Sequence, residues 1–366
     1  MTRDDVLARL ASGDPLRDLD LSGLDLAGVD MRGAIFDRCA LRAANLTGAR
    51  LAESTLTKCD LAAAQLGGAD LRHAVLHETR IAEVGLAGAD LTLTKLVKCD
   101  AAGARFDGLG LLATAFVDCD LSRASFARGA MDRTVLNRCT LVETSFAGAH
   151  LKRVTLVEAD LTRAVLTQLR LEQAVLVGAR LVGRDLAGLD LSGAQLAKAD
   201  LSQCDLRNAK LVQANFQEAV LRGAKLDGAD LSRALFSEAD LEGASFEGAS
   251  LTQAVFQSVR ARGARFVRVS AEQSTWRDAT VDDASFAGAS LGYADFSYAS
   301  ARTADFTGAS LFRTRFHGTQ GVEPLLASRP EALGDDEALA EAEQVARARV
   351  ASLSASHGDD PKEMKL

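Results

Sequence analysis

Proline (4), tryptophan (1), tyrosine (2) and methionine (4) are scarce in this 366-residue chain, and aromatic residues make up only 5% of it. A mixed globular core of this size would use more of each. The crowding of Leu, Ala and Gly points instead to internal repetition. No uninterrupted apolar run approaches the roughly 18 residues of a membrane-spanning helix, which excludes that class and any membrane partner. The start, Met1 to Leu10, carries Asp4 and Asp5 where an export signal would carry a basic and then an apolar run, so a cytoplasmic location is expected. Charge of one sign is also missing. The net charge is −8, but residues 15 to 320 hold 35 bases against 37 acids. A nucleic-acid binder would show a basic face and a nucleic-acid mimic a strongly acidic one, so no direct nucleic-acid contact is expected.

What the chain does have is a period of five. Every residue from 16 to 316 whose number ends in 1 or 6 is Leu, Phe, Ile, Met, Val, Trp or Ala, which makes 61 consecutive positions without an insertion. Two residues earlier stands usually Ala, sometimes Ser, Thr or Cys, as in Ala69-Asp-Leu-Arg-His73 and Ala229-Asp-Leu-Ser-Arg233. Five matches neither a helix nor a strand period, so the chain must turn a corner every five residues. Calling the large apolar residue i, positions i and i−2 point inward and i−1, i+1 and i+2 outward. Four such sides return the chain above its start after twenty residues, one strand spacing of about 4.8 Å higher.

The A-(D/N)-L-x-x motif resembles the pentapeptide-repeat family. That resemblance, over about residues 16 to 320, implies an all-β solenoid, a right-handed quadrilateral β-helix of about 15 coils. All inward aromatics sit at positions ending in 6, and from 236 to 316 each of these is Phe or Trp, so stacked rings should fill the bore. Ala101, Ala261, Ala271 and Ala301 on the intervening sides make room for them.

The ends need covers. Residues 1 to 14 read as a helical cap, a short helix over about 4 to 11 started by Thr2 or Asp4, with Val6, Leu7 and Leu10 on one side and Gly13-Asp14-Pro15 as its stop. Residues 15 to 320 form the β-helix. Residues 321 to 366 divide into a proline-bearing connector to about 330, an Ala/Glu-rich helix from about Asp335 to Leu353, and a disordered end from 354. Glu343 and Arg347 stand at i,i+4 in that helix, and Leu339, Val345 and Leu353 offer it a contact face for a homodimer.

Apparent chemistry dissolves on this frame. Cys39, Cys59, Cys99, Cys119 and Cys139 are multiples of twenty apart at i−2 and so line one inner column, with Cys204 on another side. A line of thiols cannot converge on tetrahedral zinc, and these read as small buried fillers. Gly288-Ala-Ser290-Leu-Gly292 imitates a nucleophile elbow and Gly108-Leu-Gly110-Leu-Leu-Ala113 a dinucleotide loop, but neither opens a helix. The five histidines point outward or lie in the tail. No catalytic, metal or cofactor site is therefore expected. Arg184 departs from the pattern by placing a charge at i−2, which should force a bulge or swing the side chain out toward Asp185, with Leu169 and Leu189 marking the same irregularity.

One outer side carries Val97, Val117, Val135, Val157, Val175 and Val177, a flat apolar strip that reads as a partner-binding surface. Tyr293, Tyr298 and Phe312 form a second outward group. The expected role is a non-catalytic, rod-like scaffold or adaptor for a protein partner in a bacterial cell. Residues 6 to 14 running into 19 to 26 resemble pentapeptide-repeat proteins that accompany type VI secretion. The alternative implied by the family resemblance is a DNA-mimicking binder of gyrase of the quinolone-resistance type, some of which dimerise through a C-terminal helix.

Overall fold

The computed structural model describes residues 1–356, with side chains through residue 346. Arg347, Leu353 and the expected disorder of residues 357–366 fall outside the described side chains or residues. The chain is an all-β parallel solenoid with short helices at both ends. Every pairing up to Gln320 joins residues twenty apart: Phe36 lies over Leu16, Leu56 over Phe36, Leu76 over Leu56, and bridges such as Asp200 to Val220 continue the same register to Ser300 and Gln320. Parallel strands three residues long are all that a five-residue side allows. Seven strands, the two-residue Leu16–Arg17 and six of three residues up to Val135–Asn137, stack into one sheet, and four, from Gly110–Leu112 to Arg170–Glu172, into another.

The corner is turned at i+2, in the left-handed region. Asp18 (φ 52°), Arg38 (φ 52°) and Arg138 (φ 52°) adopt it, as does Gly23 (φ 67°). A residue without a Cβ bears this conformation most easily, which explains glycine at numbers ending in 3 or 8. Inside, Leu and Phe at i alternate with Ala at i−2. Where i−2 is threonine, its hydroxyl reaches the coil below: Thr94, Thr114 and Thr134 donate to the carbonyls of Leu71, Leu91 and Leu111 at 2.7–2.8 Å, whereas Ser54 and Ser274 donate within their own coil to Leu51 and Ala271. Cys99 and Cys119 donate from Sγ to the carbonyls of Leu76 and Leu96 at 3.4 Å, so the thiols occupy the hydroxyl's place. Burial pushes the Cys204 thiol up to about 11.

Rings fill the bore in two opposed columns. Phe216, Phe236, Phe256, Trp276, Phe296 and Phe316 stack at 4.0–5.4 Å, while Phe246, Phe266, Phe286 and Phe306 stack at 4.9–5.0 Å and meet the first column edge to face. Trp276 donates its indole N–H to Ser274 at 2.8 Å, which satisfies the one polar atom among the rings. A shorter run joins Phe106, Phe126 and Phe146. Between Phe146 and Phe216 the inward positions are leucines, and a residual void of about 20 Å³ lies among them.

Helix α1 (Arg3–Ser12) lids the first coil with Val6, fully buried, while Leu10 is half-buried and Leu7 stays exposed. Thr2 caps it through a reciprocal box with Asp5 and Gly13 closes it in the left-handed conformation, so Thr2 rather than Asp4 is the cap. At the other end the expected connector contains a helix, α2 (Glu323–Ser328), because Pro324 occupies its first turn, where the missing N–H costs nothing. Val322 is buried, Leu325, Leu326 and Ala332 pack on the core, and Leu333 pairs with Arg315, so residues 322 to 333 cover the last coil. The Ala/Glu-rich segment forms α3 (Glu337–Ser356), which includes 354–356.

Candidate interaction surfaces

The six valines lie on one side, but they are half-buried rather than fully outward. Val97 sits under Val117 and Ala115 under Val135, and Thr155 and Val175 continue the second row. β-branched neighbours on adjacent coils cover one another, which leaves a smooth, shallow apolar surface. Among the described residues this side alone keeps its pairing without interruption, from Leu16 through Val175 to Arg315 and Leu333.

The other three sides are interrupted. The twenty-residue pairs Asp90/Gly110, Thr140/Asp160, Val165/Asp185 and Arg170/Asp190 are not formed, and the strand Arg170–Glu172 is left as a sheet edge. Three of the four gaps fall within residues 140 to 190, where the bore passes from Phe146 into the ringless stretch that ends at Phe216. Leu169 and Leu189 explain the last of them. They stack in a column otherwise filled mostly by Ala, whereas Leu109 is followed by Gly129 and has a small neighbour above it. Two leucines one strand spacing apart do not fit where two alanines do. A cleft of about 1070 Å³ opens there, lined by Gln168, Arg170, Gln173, Leu189 and Asp190, with Arg128 and His150 on its lower wall.

Arg184 lies at the Val165/Asp185 gap on the adjoining side and corrects the expectation of a bulge or of a contact with Asp185. Its own coil is regular, with Gly183 N–H bonded to Ser202, Arg184 N–H to Leu181 and Arg184 C=O to Asp205. The side chain is half-buried and reaches down instead. Nη1 donates to the carbonyl of Thr162 at 3.0 Å and Nη2 to that of Ala164 at 2.7 Å. The register assigns those two carbonyls to the amides of Glu143 and Asp185, and both pairings are open. The guanidinium thus supplies the donors that the interrupted ladder withholds, leaving only its buried Nε unpartnered.

Charges elsewhere cancel along the rod. Arg38 pairs with Asp18, Arg50 with Asp30, Arg80 with Asp100, Arg138 with Asp118 and Arg180 with Asp160, each twenty residues apart at 2.6–3.3 Å. The Arg32 guanidinium beside Asp30 holds that carboxyl down at about 2. Asp240 and Asp282 are buried, and Asp240 is the deeper. Burial pushes its carboxyl up, but Arg222, the Glu242 amide and Arg260 more than offset this and keep it below the ordinary range. Among the described residues no three His, Cys, Asp or Glu side chains gather as a metal site, and Ser290 is one rung of a Ser270–Ser290–Ser310 row. No helix there is long and apolar enough to cross a membrane.

At the C-terminal end the structure moves two residues from the outside inward. His317 is buried: Asp336 N–H donates to its Nδ1 at 3.1 Å, which puts the ring proton on Nε2, 3.5 Å from Glu343. Tyr298 donates to the same carboxylate and lies under the Arg277 guanidinium, so of the outward aromatic group only Tyr293 and Phe312 remain exposed, in edge-to-face contact at 5.5 Å. These contacts tie the first half of α3 to the rod, while Leu339 (44%) and Val345 (64%) face away from it.

The model of the family described as pentapeptide repeats matches in eight copies, at residues 16–51, 39–77, 131–168, 166–203, 199–237, 234–270 and 282–318 among them. Eight is fewer than the 15 coils expected from the sequence because one matched copy, such as 16–51, runs through nearly two twenty-residue returns. No curated protein sequence matches the chain. Among solved structures it is similar to HetL, a pentapeptide repeat protein involved in heterocyst differentiation regulation from the cyanobacterium Nostoc sp. strain PCC 7120, with 23% identity over 86% of this chain and 97% of that one and a TM-score of 0.23. Full-length QnrB1, a plasmid-mediated fluoroquinolone resistance protein, is 17% identical over 58% of this chain and 92% of its own, with a TM-score of 0.17. Rfr23 from the cyanobacterium Cyanothece 51142 is 21% identical over 38% and 89%, with a TM-score of 0.23. With the family model covering more than half of its length, the chain belongs to the pentapeptide repeat family.

Proposed function

We propose that this protein is a non-catalytic, rod-like scaffold that binds a protein partner along its valine side. The observation that carries the reading is that this side alone keeps an unbroken ladder, and that Val97, Val117, Val135, Val157, Val175 and Val177 make it apolar where the other sides are charged. A rigid, flat surface suits recognition because little conformational freedom is lost on binding. Twenty residues per return over 16 to 320 give about 15 coils, and the right-handed, four-sided form is the one we assign to them. The setting we assign is bacterial and cytoplasmic, with type VI secretion as the assembly on the likeness of residues 6 to 26. Self-pairing of α3 through Leu339, Val345 and Leu353 would make the rod a homodimer. The gyrase-directed alternative needs a continuous acidic face, and pairs such as Asp118–Arg138 and Asp160–Arg180 argue against it.

The test is affinity capture from the native host with the parent chain and with Val117→Asp and Val157→Asp. Retention of one partner by the parent and its loss from both variants, with unchanged circular dichroism and no effect on gyrase supercoiling, supports the adaptor. Equal capture by all three chains removes the valine side from the function, and inhibition of supercoiling would favour the gyrase reading.

A further inference from the structure

The open sides between residues 160 and 195 present main-chain groups in an order that a strand could complete. On the lower lip, the register assigns Leu171 N–H and Gln173 N–H to the carbonyls of Asp190 and Ser192, and Leu169 C=O to the amide of Asp190. None of these bonds is formed among the described residues. Around the corner, Leu166 N–H and Gln168 N–H likewise lack the carbonyls of Asp185 and Ala187. The upper lip, from Asp185 to Ser192, therefore offers the complementary set. Below the gap the strand Arg170–Glu172 is fully paired with His150–Lys152, and above it Asp190 is paired with Lys210, so the opening is one coil deep and bounded by intact ladder.

Charge selects what would enter. Glu172 is engaged by Lys152 at 2.9 Å and by His150 at 3.4 Å, and Asp190 accepts from the amide and hydroxyl of Ser192. Arg128 and Arg170, both exposed on the cleft wall, have no acidic partner among the described residues. Asp190 accepts only from neutral donors and keeps its negative charge, so the two arginines leave the mouth with an excess of about one positive charge.

We propose that this cleft is a binding site for an extended, acid-bearing segment of a partner protein, which adds as a strand between the lip at Leu169–Gln173 and the lip at Asp190–Ser192. Main-chain pairing supplies affinity and Arg128 and Arg170 choose an acidic side chain, the general logic of strand addition. A volume of about 1070 Å³ is ample for such a segment. Leu169 and Leu189 hold the site open by bulk, and on the neighbouring interrupted side Arg184 satisfies the carbonyls of Thr162 and Ala164. The site lies apart from the valine side and does not depend on it.

The test uses the full chain and a fluorescein-labelled probe, Thr-Val-Glu-Val-Thr-Glu, with a Thr-Val-Lys-Val-Thr-Lys counterpart and an N-methylated version of the acidic peptide. Hydrogen exchange of the free protein should show the amides of Leu166, Gln168, Leu171 and Gln173 exchanging at least 100-fold faster than those of Gln213 and Glu218 in the intact coil, and slowing when the acidic probe is added. Arg128→Glu with Arg170→Glu should weaken the acidic probe at least tenfold and favour the basic one. Leu169→Ala with Leu189→Ala, which restores the small column, should close the ladder, protect those amides and abolish binding. Equal protection in both coils of the free parent chain would overturn the proposal. So would binding of the N-methylated probe as tight as that of the parent peptide, absence of acidic-probe binding, or self-association of the chain through the cleft. Val117→Asp should leave probe binding unchanged, which separates failure here from failure of the valine side.

Discussion

Removing one ring from the stacked bore should cost more than its volume, because each ring serves two coils. Phe256 is stacked on Phe236 at 4.8 Å and on Trp276 at 4.0 Å, and touches Phe246 and Phe266 edge to face at 6.3 and 6.0 Å. Taking about 0.5–1.5 kcal/mol for each close pair, the two stacked contacts contribute about 1–3 kcal/mol beyond area burial. Phe256→Leu leaves a branched apolar side chain in the same place, so most of the loss should be this ring-on-ring part, about 2–3 kcal/mol with the weaker edge contacts included. Trp276→Leu also removes the indole N–H, but Ser274 keeps its own bond to the Ala271 carbonyl, so no polar atom is orphaned. The double variant should therefore lose about 1 kcal/mol less than the sum of the singles. Urea unfolding followed by circular dichroism gives all four stabilities, since Trp276 is the sole fluorescent tryptophan and is itself replaced. A coupling below about 0.3 kcal/mol would mean that the rings only fill space and that their parallel stacking adds nothing.

Asp240→Asn should destabilise by about 1–3 kcal/mol at neutral pH, because a nearly buried carboxylate shared by Arg222 and Arg260 becomes a neutral amide. The folded-state value of Asp240 is depressed, so its contribution is complete above the unfolded carboxyl value of about 3.9 and is lost as pH falls through the folded one. The stability gap between parent and variant should accordingly begin to narrow as pH falls below about 4, and a gap that stayed constant from about pH 5 to about pH 2 would contradict this account. Gly321→Ala should loosen the C-terminal cover by more than about 1 kcal/mol, since Gly321 has φ 84° and an added Cβ would lie 2.8 Å from Arg302 Cα. Faster proteolysis between 322 and 333, with the N-terminal coils unaffected, is the signature to look for. Arg184→Met should cost about 2 kcal/mol by stripping the donors from Thr162 and Ala164, whereas Arg184→Ala should cost less because Asp185 N–H can then reclaim the Ala164 carbonyl. Equal stabilities for the two, measured by urea unfolding, would show that the ladder at 165/185 does not reclose.

The solenoid was legible because its rule is local and repeated. A large residue at i and a small one at i−2, five residues on without insertion, leave the chain one way to bury both, and Phe256 over Phe236 or Cys119 over Cys99 follows from counting. The corners were less legible. Left-handed φ at Arg38, Lys58 or Arg138 is carried by residues with no preference for it, and only where glycine stands at i+2, as at 23, 28, 33 and 48, does the sequence advertise the position. His317 could not be placed from its number, since i+1 is an outward position by the repeat and is covered here only because the chain folds 335 to 343 back over it. Pro324 misled in the same region because a proline ends a helix from within but begins one at its first turn.

Arg184 shows why single departures are a poor guide and paired ones a better one. Considered alone, a charge at i−2 must bulge, exit or find an acid, and the side chain does none of these. Its partners are two carbonyls whose ordinary donors have moved away, and they have moved because the coils from 160 to 195 are held apart on adjoining sides. The signal for that separation was present in the column of Leu169 and Leu189, where two large residues follow one another without the small neighbour that Gly129 gives Leu109. Such a gap is tolerated because the fourth side, from Thr155 to Gln195, never opens. The smooth valine side and the cleft are thus two results of one arrangement: the unbroken ladder that presents the first is what holds the rod together across the second.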